Sequence, residues 1–508
     1  MGCYSSHDSN GRLIFAQKLA GAFPRSPHRG PPPPVNPPGG PLPDAAVSEP
    51  FERLRAARDA SGGLDYGARR AALAGLAALL RGNVQALCEA VDADFRGRAS
   101  QETRLLEIFP ALSAIAHARR HLGRWMRPQR RPTGRWFHPG RSRVLFQPLG
   151  VAGIVVPWNY PIYLAAGPAT SALAAGNRVL VKMPEGTPRT SELFAGLVAR
   201  HFDPEVLAVV NGGPEVGRAF VALPFDHLLF TGSGAVGRQV MRAAAENLTP
   251  VTLELGGKSP AIVGRGISIA EAADKVLFGK CLNAGQTCIA PDYALVPEER
   301  VEAFVEAARA TVARLYPTLA ANRDYSAIID ERHRARLAAC VEEARAAGTL
   351  VVEINPASEE LSRSPKMAPT LLVAPDPGSR AMREEIFGPV LPVVPYRTLE
   401  EAIAFVNARP RPLALYVFDH DRGAVDEVLR RTVSGGATVN ETLLHIAQEE
   451  LPFGGVGPSG MGEYHGRAGF ETFSKRKSVF FAPRLAALRL LRPPYGARFE
   501  AIVRWLLR

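Results

Sequence analysis

The sequence reads as an α/β protein with two doubly wound domains and a small bridging β element, on three observations. Short β-branched runs alternate with helix-length stretches from residue 149 to about 256. The alternation resumes from Ala261 to about Gly436, and two further strand-like segments, 143–147 and 477–481, lie outside both regions. Alternation of this kind means right-handed crossovers and parallel sheets covered by helices on both faces. At 508 residues the chain is long enough for about three domains.

Residues 1–47 include Gly30-Pro31-Pro32-Pro33-Pro34 and Pro37-Pro38-Gly39-Gly40. They bury too little apolar surface to offset the entropy of ordering, so they are expected to form a disordered extension. Its start, Met1-Gly2-Cys3-Tyr4-Ser5-Ser6, fits the myristoylation pattern, for which a chance match or a misassigned start codon is the simpler reading. Ala and Leu then recur at helical spacing over 68–95 and 101–122. The runs 151–156, 179–181, 206–210 and 227–230 follow as strands, so 48–132 with 149–256 makes the first domain. The second, 257–440, carries predicted helices at 298–315 and 331–347 and strands at 370–373, 390–394 and 415–417. Segments 133–148 and 466–483 form the bridging strands, and 484–508 is a basic tail.

Hydrophobic residues make up 46% of the chain, enough for a large core. No run of eighteen apolar residues suggests a transmembrane helix, and residues 1–30 lack the apolar segment of a secretory signal. Five scattered cysteines do not make a disulfide framework, which points to a reducing, cytoplasmic setting. Cys281 and Cys288 have no matching Cys or His cluster nearby, so no metal site is expected. The net charge of +12 is spread along the whole length without any nucleic-acid-binding module, so no nucleic-acid partner is expected.

The chemistry concentrates in Gln286-Thr287-Cys288 and, thirty-four residues earlier, Leu253-Glu254-Leu255-Gly256-Gly257-Lys258. A thiolate attacks carbonyl carbon, and a carboxylate activates the water that cleaves a thioester. Gly232-Ser233-Gly234-Ala235-Val236-Gly237 follows a strand and opens a helix, the setting of a dinucleotide fingerprint. On that spacing alone Glu254 could also be the acid that binds ribose. In Val156-Pro157-Trp158-Asn159-Tyr160-Pro161, the Asn159 amide can donate to an oxyanion. Lys182 and Glu185 sit at another strand end, where a nucleotide ribose would lie.

Together these segments resemble the aldehyde dehydrogenase superfamily over about residues 50–483. Glu384-Glu385-Ile386-Phe387-Gly388-Pro389 and Pro452-Phe453-Gly454-Gly455 complete the set of motifs, in the family's order. The resemblance implies an NAD-binding first domain, a catalytic second domain and a homodimer. It makes Cys288 the nucleophile, Glu254 the base for the deacylating water, and Asn159 with the Cys288 amide the oxyanion donors, so the ribose role for Glu254 falls away. Trp158, Lys182, Glu185, Gly232, Ser233, Gly237, Glu385 and Phe387 become the cofactor-binding residues. Glu185 would repel a 2′-phosphate, which favours NAD and leaves NADP open. A free thiol has a pKa of about 8.5, so activation of Cys288 is expected.

A narrower resemblance lies in Ile289-Ala290-Pro291-Asp292-Tyr293, Val439-Asn440-Glu441-Thr442-Leu443-Leu444-His445 and Gly460-Met461-Gly462-Glu463-Tyr464-His465-Gly466. These are similar to the class 3 and fatty aldehyde dehydrogenases and most similar to bacterial coniferyl aldehyde dehydrogenases. The implied reaction is oxidation of a hydrophobic aldehyde, aromatic or long-chain, to its acid. The alternatives are a CoA-acylating enzyme, which would not need Glu254, and a catalytically silent membrane-associated or structural protein. His445 and His465 are read as structural. In the tail, Phe499, Ile502, Val503, Leu506 and Leu507 share one helical face flanked by arginines and Trp505. Either a membrane interface or the chain's own dimer would accept that helix.

Overall fold

In a computed structural model the described residues are 45–484 and 491–507. They form three sheets. The first has six strands in the order Gly460–Met461, Val251–Leu255, His227–Gly232, Val151–Val155, Arg178–Lys182 and Leu207–Val210. All neighbours are parallel except Gly460–Met461, which runs antiparallel and sets Gly460 opposite Glu254. The second has seven strands in the order Leu350–Glu353, Thr370–Val373, Val390–Tyr396, Tyr293–Pro297, Pro260–Val263, Ala414–Phe418 and Gly436–Val439. It is parallel apart from Leu350–Glu353. The third is antiparallel and joins Gln129–Arg131, Arg141–Pro148 and Ser474–Phe481. The doubly wound expectation therefore holds for both large sheets.

The central strands of the large sheets are buried throughout, as near-continuous apolar runs such as Arg178-Val179-Leu180-Val181-Lys182 require. Helices Tyr163–Ala175, Pro188–His201 and Gly234–Glu246 cross between strands of the first sheet. Tyr163–Ala175 is buried on every side, so its hydrophobicity has no polar face to offset it.

Most of the expected elements appear within a few residues of their sequence positions. The 68–95 stretch divides at Asn83 into Tyr66–Gly82 and Val84–Phe95, bent by 68°. Asn83 leaves helical geometry there and donates its side-chain amide to the Leu79 carbonyl. Residues 1–44 of the expected extension lie outside the described residues, whereas 45–47 open helix Ala45–Ser61. Its Val47, Phe51 and Leu54 pack onto Val151 and Leu180 of the first sheet and onto Phe225, which precedes strand His227–Gly232.

Candidate active site

Cys288 lies between the turn Leu282–Gly285 and strand Tyr293–Pro297. Asn283, Ala284 and Gly285 all have positive φ, at 51°, 50° and 75°. For Asn and Ala that conformation is costly and persists only where the surroundings over-determine it. Here they do. The Asn283 amide donates to Glu102 Oε2 at 3.0 Å, and its side-chain amide reaches the carbonyls of Asn159 and Gln286, each at 3.2 Å. Gln286 donates to the Asn283 and Ala327 carbonyls and accepts from the Ile329 amide, all at 2.9 Å. Gly285 admits no other residue, because a Cβ there would stand 2.3 Å from the Gly388 carbonyl oxygen.

Asn159 follows the central strand Val151–Val155, and its backbone is clamped as firmly. Its carbonyl accepts from Arg98 Nη1 at 2.6 Å, and Arg98 is wholly buried beside Glu107, over the Phe95 and Tyr160 rings. The Asn159 side-chain amide donates to the Gln286 carbonyl at 3.2 Å. An amide carries two protons, so one remains to be donated.

Glu254 sits in strand Val251–Leu255 with both carboxylate oxygens buried and without a hydrogen-bond partner. Burial, and then Glu463, pushes its pKa well above the ordinary carboxylate range. Cys288 is half-buried, and its pKa also rises, through burial first and then the Glu385 and Glu254 carboxylates. Its own amide and that of Ile289 oppose the rise without reversing it. The activation expected from sequence is therefore not supplied by the residues packed around the thiol, because burial first, and then two acids, hold its pKa up.

Cys288 stands where two cavities meet. On one side is a polar pocket of about 230 Å³, lined by Trp158, Asn159, Ser233, Gly256, Glu385 and Phe387 among others. On the other is an apolar cavity of about 380 Å³, walled by Leu106, Phe109, Leu164, Leu443, Ile446 and Phe453 among others. Thr231, Glu254 and Cys288 line both. Beside this junction Thr231 Oγ1 and the Tyr464 hydroxyl are buried without partners. Together with Glu254 they form a set of polar groups that a water or a carbonyl would satisfy.

The residues expected to hold a cofactor divide into two groups. Trp158, Gly232, Ser233, Glu385 and Phe387 line the polar pocket; Lys182, Glu185 and Gly237 stand outside its lining. Trp158 meets the Phe387 ring edge-on at 5.4 Å. Glu385 occupies the space a Cβ on Gly256 would need, so that position must be glycine. Burial, then Asp292, pushes Glu385 up to about 8, and its Oε1 has no donor. Lys182 Nζ is paired with Glu185 Oε2 at 2.6 Å; burial raises the Glu185 pKa, but this hydrogen bond, the Glu185 backbone amide and the Lys182 charge together hold it below its usual range. Gly237 lies against Leu255, bringing helix Gly234–Glu246 onto its strand. An unpartnered acid and the open first turn of a capped helix are features that ribose hydroxyls and a pyrophosphate would satisfy, so the pocket fits a dinucleotide.

His445 and His465 are buried and held neutral, at about 4 and about 3, with burial as the first cause. His445 pairs with the Thr438 hydroxyl at 2.8 Å and His465 with the Tyr163 hydroxyl at 3.0 Å. The sequence did not single out Arg98, Glu102, Glu107 or Thr231. The groups that the Arg98, Glu102 and Glu107 side chains hold by hydrogen bonds lie 55 or more positions away in the chain, and the Thr231 hydroxyl has no partner at all, so no local pattern marks them. Tyr464 did stand inside a quoted motif, though nothing there gave it a role.

Residues 43–479 match the profile of the aldehyde dehydrogenase family. A protein of Pseudomonas aeruginosa called "Probable coniferyl aldehyde dehydrogenase" is 52% identical over 453 residues, covering 89% of this chain and 94% of its own length. The solved structure "Substrate bound state of Staphylococcus Aureus AldH" is 36% identical with a TM-score of 0.85, covering 91% of this chain and 99% of its own. A Mycobacterium tuberculosis aldehyde dehydrogenase complexed with NAD+ is 32% identical with a TM-score of 0.77, covering 86% and 90%.

Proposed function

This chain belongs to the aldehyde dehydrogenase family, and from that premise we propose that it oxidises hydrophobic aldehydes to carboxylic acids with NAD. Aromatic aldehydes such as coniferyl aldehyde are the first candidates, given the name of the Pseudomonas aeruginosa relative and the apolar cavity. One observation carries the reading. Cys288 and Glu254 sit at the meeting point of an apolar cavity sized for a small molecule and a polar pocket suited to a dinucleotide.

The aldehyde enters through the apolar cavity, and the Cys288 sulfur attacks its carbonyl carbon after the thiol gives up its proton to solvent water. The carbonyl oxygen becomes an alkoxide, which the unused Asn159 amide proton and the Cys288 backbone amide stabilise. Such a donor is commonly worth a few kcal/mol, and the clamp by Arg98 and Asn283 means it needs no reorganisation. Glu385 and Phe387 would hold the nicotinamide side, Lys182 and Glu185 the adenosine ribose, and Gly232 and Gly237 the pyrophosphate, with Trp158 and Ser233 lining the same pocket. The bound NAD accepts hydride from the tetrahedral carbon. The acyl group is then a thioester on Cys288. Glu254 takes a proton from a water that attacks this thioester, the C–S bond breaks, and the carboxylic acid leaves with the thiolate restored. A raised Glu254 pKa suits a base that must work near neutral pH.

The test is a burst experiment. Glu254→Gln should still release about one equivalent of NADH per site, with steady-state turnover lowered by about a hundredfold or more. Normal steady-state turnover in this variant would remove Glu254 from the mechanism. Retained turnover that requires CoA would instead favour the acylating alternative.

The chain is proposed to act as a homodimer in the cytoplasm. Strand Ser474–Phe481 lies at the edge of the three-stranded sheet with most of its residues exposed, and such an edge is a pairing surface. Helix Ala497–Leu506 buries no residue; its Trp505 ring meets Trp136 at 4.6 Å. That exposed helix, with its arginines, supports peripheral membrane contact. Removing 484–508 should move the protein from the membrane to the soluble fraction of broken cells, and identical fractionation of both forms ends that part of the reading.

A further inference from the structure

We propose that His117, His121 and Glu450 bind one divalent transition-metal ion of the zinc class, fastening together two walls of the apolar cavity. Both histidines lie on helix Phe109–Trp125, four residues apart and so on one face. Their rings are 4.3 Å apart between centroids. Glu450 comes from the loop after strand Gly436–Val439, and one donor atom from each of the three residues falls within 4.8 Å of the others.

The state of the two rings is what points to an ion. His117 Nε2 is shielded from water and makes no hydrogen bond, with Glu450 Oε1 standing 3.3 Å away. His121 Nδ1 is 3.0 Å from the His117 carbonyl, which places its proton there and leaves Nε2 with a free lone pair. A ring N–H donated to a backbone carbonyl is the usual support of a metal-ligating histidine. Two neutral imidazoles and one carboxylate make a known zinc donor set, with a coordination position left for water. Glu450 is mostly exposed, so the site is open to solvent on that side. Arg120 and Arg124 face the His117 ring and oppose a cation, but both are exposed and therefore screened.

The helix that carries the histidines also supplies Phe109, Pro110 and Ser113 to the apolar cavity, and the Glu450 loop supplies Leu444, Ile446 and Ala447. A bound ion would thus tie one wall to the other. The expectation of no metal site weighed cysteine spacing alone, and Glu450 lies too far along the chain for any local pattern to include it.

The experiment is titration of the full-length protein carrying Cys288→Ser, which removes the thiol that would itself take up metal. Co2+ is followed by its visible absorption and Zn2+ by calorimetry. One equivalent of Co2+ should bind in a four-coordinate environment with a micromolar dissociation constant. His121→Ala should weaken binding by about tenfold or more, the factor that 1.4 kcal/mol represents. Glu450→Gln, at an exposed position, should weaken it in the same direction and guards against a folding defect in the histidine variant. Absence of saturable binding, or affinity unchanged in both variants, overturns the proposal. The readout does not involve turnover, so it stands apart from the roles given to Cys288 and Glu254.

Discussion

The two cavities at Cys288 are built in different ways. The polar pocket is made from strand ends, glycines and loops of the two large sheets, with fixed acids and amides aimed inward. The apolar cavity is made largely from apolar side chains of the early helices and of the 441–447 loop, with a few hydroxyls and Glu441 among them. The first can recognise one ligand by position and charge. The second selects mainly by size and hydrophobicity: an aromatic group that loses ~100 Å² of apolar surface gains roughly 2.5 kcal/mol. A constant cofactor and a tolerant choice of aldehyde follow from that contrast.

Breaking the junction has the largest expected effect. Cys288→Ala should lower NADH formation by about ten-thousand-fold or more, while NAD binding, followed by fluorescence titration, changes by less than about twofold. Loss of NAD binding in this variant would mean that the two sides are one site. Next comes the apolar side alone. Ile446→Asn should raise KM for coniferyl aldehyde by roughly ten- to a hundredfold, the cost of an unsatisfied amide, with the NAD dissociation constant unchanged. If both constants moved together, the cavities would not be separable.

The smallest effect sharpens the polar side. The Cys288 pKa is raised, so below it the thiol is protonated and unreactive, and thiolate grows as pH rises toward it. Alkylation of the free protein by iodoacetamide should therefore still be accelerating from about pH 7 to 9, beyond the ~8.5 of an ordinary thiol. Glu385→Gln removes one of the carboxylates that raise it, so the rate near pH 9, where Glu385 is ionised, should increase by about threefold, a modest share of a pKa unit. A flat profile over that range, or a slower rate in the variant, would show that cations rather than acids govern the thiol.

The same contrast explains what the sequence disclosed. Strands such as Thr370–Val373 and the pocket motifs around Asn159, Gly232, Glu254 and Glu385 are contiguous, because a strand end and its following loop meet a cofactor as one piece. The apolar walls are assembled from residues near 105, 164, 443 and 453, each an ordinary core residue in its own segment. The division at Asn83 was hidden because Ala and Leu continue in helical spacing on both sides of it. Likewise the rise of the Cys288 pKa comes from burial first and then from Glu385, neither of which any spacing in the sequence shows.

The hold of Glu102 on the loop before Cys288 bears on how the enzyme comes into being. Glu102 accepts from the Asn283 amide across 181 positions and from the Ser326 hydroxyl across 224. During synthesis the acid therefore leaves the ribosome long before either partner exists. The strained turn can be locked only after the chain has been made past Ser326, when strands Pro260–Val263 and Tyr293–Pro297 of the second sheet already exist, since loop closure over such distances comes late. A nascent chain would thus carry Cys288 as an ordinary thiol until Ser326 has followed it, and the loop would acquire its hold only then.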